Sequence, residues 1–229
     1  MTHMRIATIV VLMFALLGCG VTRQARSVEY SGFLGDYSKL VPGPDGGARL
    51  VYQDPDANFK SYDKILLEPV TIWSGEGSQM NEVSKEDRLA VANRLYSLLY
   101  ARLAKDYEMV QSPQPGAMRM AAALTSTERS YPVMDTLSSV VPVGIVISAL
   151  KAGITGRPAF VGEASAEMKV TDATTDVILF EGVDSRVGTK NPSGIWDKWE
   201  DVDSALAYWA DRVGYKLCVE RGATGCVAP

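Results

Sequence analysis

Few residues in this chain of 229 have side chains suited to chemistry. There are three cysteines, Cys19, Cys218 and Cys226, and a single histidine, His3. Four carboxylates, Asp172, Asp176, Glu181 and Asp184, fall within a short stretch. Paired carboxylates can serve as acid and base at a glycosidic bond, but acidic residues around a turn are more often simply solvated. With one histidine, ahead of Cys19, the chain beyond Cys19 has no imidazole to activate a serine or cysteine nucleophile. Histidine-ligated zinc or copper is excluded there for the same reason. Gly182 to Lys190 contains glycines and ends in Gly-Thr-Lys, but its spacing is not that of a phosphate loop. Asp54-Pro55-Asp56-Ala57-Asn58 opens like a calcium loop and then fails. Phe59 stands where glycine is needed and Ile65 where the closing glutamate belongs, so it reads as a polar turn. No catalytic, cofactor-binding or metal-binding residue is assigned.

The start of the chain gives an address. One basic residue, Arg5, precedes a twelve-residue apolar run from Ile6 to Leu17. A membrane-spanning helix needs about 20 residues, so the run fits a cleaved secretory signal over residues 1–18. Removing it takes His3 and Arg5 away. The remainder has 22 basic and 27 acidic residues, a net charge of −5. That balance argues against a nucleic-acid partner, whose phosphates need a basic patch. In an oxidising compartment Cys218 and Cys226 are expected to pair, with two free thiols as the alternative. The bridge would pin the tail to the last helix.

Leu16-Leu17-Gly18-Cys19 resembles the lipobox of bacterial lipoproteins. The resemblance implies a diacylglyceryl group on the Cys19 sulfur and an acyl group, such as palmitate, on its new amine. The partner at this end is then membrane lipid. Three chains hold firmly where one holds marginally. Gly20 in place of Asp implies an outer-membrane destination, with the domain facing the periplasm.

The elements that follow must position whatever the domain does. Residues 19–60 read as a lipidated N-terminus and tether, broken by Pro42-Gly43-Pro44-Asp45-Gly46-Gly47. Its scattered apolar residues could dock on the domain in short pieces. Fully extended, the tether reaches on the order of 100 Å. The domain proper is expected over 61–229. Lys64 to Val70 reads as a buried strand. Ser84, with Asp87 three residues on, opens a helix whose stripe is Leu89, Ala92, Leu95, Leu99 and Leu103. Tyr107–Val110 and Met118–Thr125 read as strands. Val140 to Leu150 is almost wholly apolar and fits a buried helix or connector, with partial membrane insertion or a partner-binding patch as the alternatives; it is too short for a helical span. Ala164–Val170 and Val177–Val183 form a hairpin around Asp172–Asp176, and the polar alternate face of the first strand is expected to meet solvent. Ile195, Trp199, Val202, Leu206, Trp209, Val213 and Leu217 mark a final helix. Trp196 and Tyr208 lie off that stripe and are free to contact a partner or the tether. The expected architecture is α/β (α+β): one mixed or antiparallel sheet against two main helices.

Ser31-Gly32-Phe33-Leu34-Gly35-Asp36-Tyr37-Ser38, Leu67-Glu68-Pro69-Val70, the strand from Ala164 to Val170 and Trp196-Asp197-Lys198-Trp199 together resemble the bacterial lipoproteins of domain of unknown function 3313. The resemblance spans nearly the whole chain after Cys19 and implies no activity, cofactor or site residue. More loosely, the order of elements resembles the α/β domain of curli-secretion-type periplasmic lipoproteins. In those, apolar hairpins line a pore; the two alternating ten-residue segments needed for that are missing here. The expected function is therefore a non-catalytic binding or assembly module of the envelope. The alternatives are an accessory subunit of a secretion or transport assembly, and a carboxylate-dependent envelope hydrolase.

Overall fold

The computed structural model describes residues 23–24, 30–73, 84–125, 163–187 and 198–229. Residues 1–18, where a signal is expected, Cys19, the apolar stretch Val140–Leu150, and Ile195 and Trp196 lie outside the described residues. Nine strands form one mixed sheet. In chain order they are β1 (Arg23–Gln24), β2 (Val41–Pro42), β3 (Leu50–Gln53), β4 (Lys64–Leu67), β5 (Thr71–Trp73), β6 (Glu108–Met109), β7 (Ala117–Thr125), β8 (Glu163–Asp172) and β9 (Ile178–Val187). Helix α1 (Lys85–Leu103) lies between β5 and β6, and α2 (Lys198–Glu220) follows β9.

Across the sheet the order is β2-β3-β9-β8-β7-β4-β6. The strands β7, β8 and β9 are the antiparallel centre. On one side, β4 and β5 run end to end beside β7, both parallel to it. Pro69 sits at the break between them and has no N–H to give to a ladder. The Glu68 N–H still donates to the Met120 carbonyl at 2.9 Å, which carries the register to the break. Parallel neighbours need a crossover, and α1 is that crossover. On the other side, β1 and β3 both pair with β9, antiparallel.

Local chemistry sets the helix ends. The Ser84 hydroxyl accepts from the Asp87 N–H at 3.0 Å, and Glu86 and Asp87 add negative charge to the first turn. Both effects favour a helix start. Helix α1 buries Val91, Ala92, Leu95, Leu99 and Leu103, while Leu89 is half-buried. Helix α2 buries Val202, Leu206, Trp209 and Leu217. Their stripes meet Met118, Met120, Leu124 and Val170 in one core on one face of the sheet. Burying a side chain of this size contributes roughly 1.5–3 kcal/mol. Arg94 clamps the two helices together through a bidentate pair to Asp203, with Nη2 to Oδ2 at 2.7 Å. Beyond α2, Cys218 and Cys226 form a disulfide.

Two expectations need correction. Residues 30–60, expected to have little regular structure, dock on the domain and also contribute to the sheet: Leu50–Gln53 is a strand, and Leu34 and Phe59 are each only 3% exposed. The cause is pairing with β9, which is encoded more than a hundred residues later. Most of the described polar face of β8 is closed to solvent too. Ser165, Glu167 and Thr171 are buried, Glu167 completely, and residues 31–37 lie across Glu167 and Lys169. The Glu167 carboxylate accepts from the Ser31 N–H at 2.8 Å and from the Tyr37 hydroxyl at 2.6 Å. Lys169 Nζ donates to the Leu34 carbonyl at 2.7 Å, and the Phe33 ring meets Trp73 edge-on. A buried carboxylate is costly unless hydrogen-bonded, and here the N-terminal strap supplies the donors. Among the described residues, no helix is long and apolar enough to cross a membrane.

Candidate functional site: an apolar cavity with a basic rim

Small residues in register leave a gap under α2. Ala122 on β7 pairs with Met168 on β8, Met168 with Gly182 on β9, and Gly182 with Val51 on β3. One row further along, Ala166 stands between Leu124 and Asp184. With Ala and Gly at these points, the sheet floor cannot fill the space below Trp209 and Val213. The result is a cavity of about 150 Å³, open toward Ala48 and Val51. Leu95 and Leu99 of α1 line it as well. A Cβ at Gly182 would stand 3.1 Å from the Phe180 ring, so any larger residue there requires that ring to shift.

The mouth lies between residues 44–53 and the edge of α2. Along that edge Tyr208, Arg212 and Lys216 recur every four residues and all line the cavity, as i,i+4 neighbours on one helix face do. At one end, Lys216 Nζ donates to Gln53 Oε1 and Glu220 Oε1, each at 2.6 Å, and Gln53 Nε2 donates to Glu220 Oε2 at 2.9 Å. Burial pushes the Glu220 carboxyl up, but these bonds from Lys216 and Gln53 outweigh it and hold it below its ordinary value. At the other end the Tyr208 hydroxyl donates to the Gly46 carbonyl at 3.0 Å, and the Arg186 guanidinium stacks on the Tyr208 ring at 3.5 Å. Tyr208 thus contacts the expected tether segment. Between them, Arg212 lies over the Tyr215 ring at 5.2 Å. Among the described residues, no carboxylate stands within ion-pair distance of its guanidinium.

The lining includes two buried acidic residues, Glu167, whose carboxylate is held by the strap, and Asp184, 5% exposed. The Asp184 oxygens accept from Gln24 Nε2, Trp209 Nε1, Arg186 Nε and the Arg49 N–H at 2.8 to 3.2 Å. This ties β1, the residue 43–49 loop and α2 to β9.

The four carboxylates singled out in the sequence are not brought together. Asp172 and Asp176 sit at the β8–β9 turn. The Thr174 hydroxyl, the Thr174 and Thr175 N–H groups and the Thr175 hydroxyl hold the Asp172 carboxyl well below the usual carboxylate range. Asp184 faces α2. Glu181 faces the strap, 3.4 Å from Lys169, and burial pushes its carboxyl up. Among the described residues, no group of three or more cysteines and carboxylates is arranged to hold a metal. Asp54 to Asn58 forms the polar turn expected of it, with the Asp56 N–H donating to Asp54 Oδ1 at 3.0 Å. Arg212 and Lys216 escaped the sequence reading. Their spacing from Tyr208 was visible, but only the sheet register puts a cavity beside them.

Comparison with known proteins gives a family and no function. No curated protein matches the chain. A PelC dodecamer from Paraburkholderia phytofirmans with one substitution is 14% identical, with a TM-score of 0.36, over 76% of this chain and 97% of that one. The PelC dodecamer without it is 13% identical, with a TM-score of 0.35, over 74% and 96%. The family model described as "Protein of unknown function (DUF3313)" matches residues 29–213. That stretch runs from the strap over Glu167 to the edge of α2 that rims the cavity, so the match takes in nearly every element described above, and the chain belongs to this family.

Proposed function

We propose that this protein is a lipid-anchored envelope lipoprotein, held at the outer membrane through acylated Cys19 and facing the periplasm, and that it works as a non-catalytic binding module. The observation that carries the binding part is the apolar cavity between α2 and the sheet. A concave, mostly apolar site with a few convergent polar groups is the usual form of a small-ligand site. An engineered cavity of similar size with apolar walls takes up a benzene-sized guest. The anchor part rests on the short apolar start, the Leu16-to-Cys19 box and the Cys218–Cys226 disulfide, which fits an oxidising compartment. A hydrolase has less support, because Glu181 and Asp184 lie on opposite faces of the sheet.

Two measurements test this. Cys19→Ser should move the protein from the membrane to the soluble fraction of the envelope; a variant that stays with membranes sinks the anchor. The neutral fluorophore N-phenyl-1-naphthylamine should brighten on binding the purified protein, and an unchanged emission sinks the cavity as a binding site. Affinity purification from detergent-solubilised envelope would separate a lone binding module from a subunit of a larger assembly, in which partner proteins co-purify in fixed proportion.

A further inference from the structure

The geometry points to a ligand class for the cavity: a single apolar chain carrying an anionic head, a carboxylate or a phosphate, with the chain inside and the head on Arg212. This deepens the binding-module reading and rests on it.

Three features converge. The interior takes only apolar matter, since its floor is Ala122, Ala166, Met168 and Gly182 and its roof Trp209 and Val213. Two buried carboxylate residues belong to the lining, and both are engaged: Asp184 by four donors and Glu167 by Ser31 and Tyr37, so neither offers anything to a cationic or hydroxylated tail. The cations at the rim, Arg212 and Lys216 in the lining and Arg186 behind Tyr208, differ in commitment. Lys216 is held by Gln53 and Glu220, and Arg186 by Asp184 and the Tyr208 ring. Arg212 sits between them, on the cavity side of α2, with an aromatic face beside it and no carboxylate partner among the described residues. A guanidinium presents paired donors to carboxylate or phosphate oxygens. The cavity volume, about 150 Å³, accommodates only part of a long chain. The mouth is open, so the remainder would leave past Ala48 and Val51.

The test is displacement of N-phenyl-1-naphthylamine from the purified full chain by four ten-carbon probes: decanoate, decyl phosphate, decanol and decyltrimethylammonium. The two anions should compete about tenfold better than decanol, the size of effect expected when one charge-assisted hydrogen bond is added, and the cation should compete worst. The order of the two anions tells a carboxylate head from a phosphate one. Arg212→Gln keeps the stem of the side chain; it should still bind the fluorophore and decanol but lose the preference for anions. Ala48→Leu should weaken all four probes together. Equal displacement by decanol and the anions, or an anion preference that survives in Arg212→Gln, overturns the ligand class. Either result leaves the anchor and the fluorophore test untouched, so this failure is separable from failure of the binding module itself.

Discussion

Trp209 Nε1 donates to Asp184 Oδ2 at 2.8 Å, joining the middle of α2 to the buried carboxylate of β9. The same carboxylate takes Gln24 from β1 and the Arg49 N–H from the loop before β3. One side chain therefore holds three separate parts of the chain around the cavity mouth. Trp209→Phe should cost about 2 kcal/mol, for a lost bond to a charged acceptor and a smaller ring. Asp184→Ala should cost more, about 3 kcal/mol or above, since four donors lose their acceptor at once. Urea denaturation followed by circular dichroism would rank the two; an Asp184→Ala loss smaller than the Trp209→Phe loss contradicts this account.

The strap over the second face predicts an alkaline limit. Burial, and then the bond to Glu167, push the Tyr37 phenol up to about 12. Burial and the bond to Asp172 do the same for Tyr62, also to about 12. A proton held more tightly in the folded state stabilises it below the unfolded value near 10, and that stability is lost as pH rises through 12. Urea midpoints should hold steady up to about pH 10 with respect to these groups and then fall. Glu167→Gln should bring the Tyr37 titration part of the way back toward 10, leaving the share due to burial. An ultraviolet titration in which the variant and the parent coincide would remove Glu167 from the explanation.

Asp172 predicts the acid side. Its carboxyl is depressed by the Thr174 hydroxyl first, then by the neighbouring N–H groups and the Thr175 hydroxyl. The stabilisation it contributes is present above the unfolded carboxylate value, near 4, and is lost as pH falls through the depressed one. Asp172→Ala should cost about 1 kcal/mol at neutral pH, the scale of one net hydrogen bond, and should flatten the decline below pH 4. A variant that loses stability with acid as steeply as the parent would assign the decline to other carboxylates.

Gly214 predicts a steric effect between the helices. A Cβ there would lie 2.5 Å from the Arg102 guanidinium carbon and 2.7 Å from Arg102 Cγ. Arg102 is engaged by Asp106 at 2.9 Å, so it cannot swing aside freely. Gly214→Ala gains about 1 kcal/mol of helix propensity, yet overpacking of this kind costs about 1–3 kcal/mol, and a net loss is expected. Adding Arg102→Ala should recover much of it. Additive losses in the double variant would show that the two residues do not collide.

Reducing the Cys218–Cys226 bridge should lower stability by about 2 kcal/mol, as expected for so short a closed loop. The loss belongs to the C-terminal turn, so hydrogen exchange should rise around Arg221 to Cys226 before it rises in β7 to β9. Uniform acceleration across the sheet would show that the bridge acts on the whole fold instead.

Much of this architecture is legible in the residues themselves. Ser84 and Asp87 mark the start of α1 because capping is a local matter. Asp172–Asp176 marks the hairpin turn for the same reason, and the Val202-to-Leu217 stripe marks α2. What stays hidden depends on partners distant in sequence. Glu167 and Ser165 alternate with Ala166 and Met168 as a solvent-facing set would, and nothing nearby reveals that Ser31 and Tyr37 will cover them. Leu50–Gln53 is too short and mixed to declare itself a strand without β9 beside it. The cavity is less visible still. Ala122, Ala166 and Gly182 are unremarkable one at a time, and only the register of three strands lines them up under Trp209.

The pairing of β1 and β3 with β9 also orders events in time. A chain that emerges amino end first presents Arg23–Gln24 and Leu50–Gln53 long before Phe180 to Val187, their partners. Closure of that edge must wait for the hairpin, and non-local pairing of this kind is slow. Laying the amino-terminal segment onto β9, with Gln24 reaching Asp184, is therefore possible only after β9 is available. The cavity mouth, built from residues 44–53 on one side and α2 on the other, exists only once both have come to β9 from opposite ends of the chain.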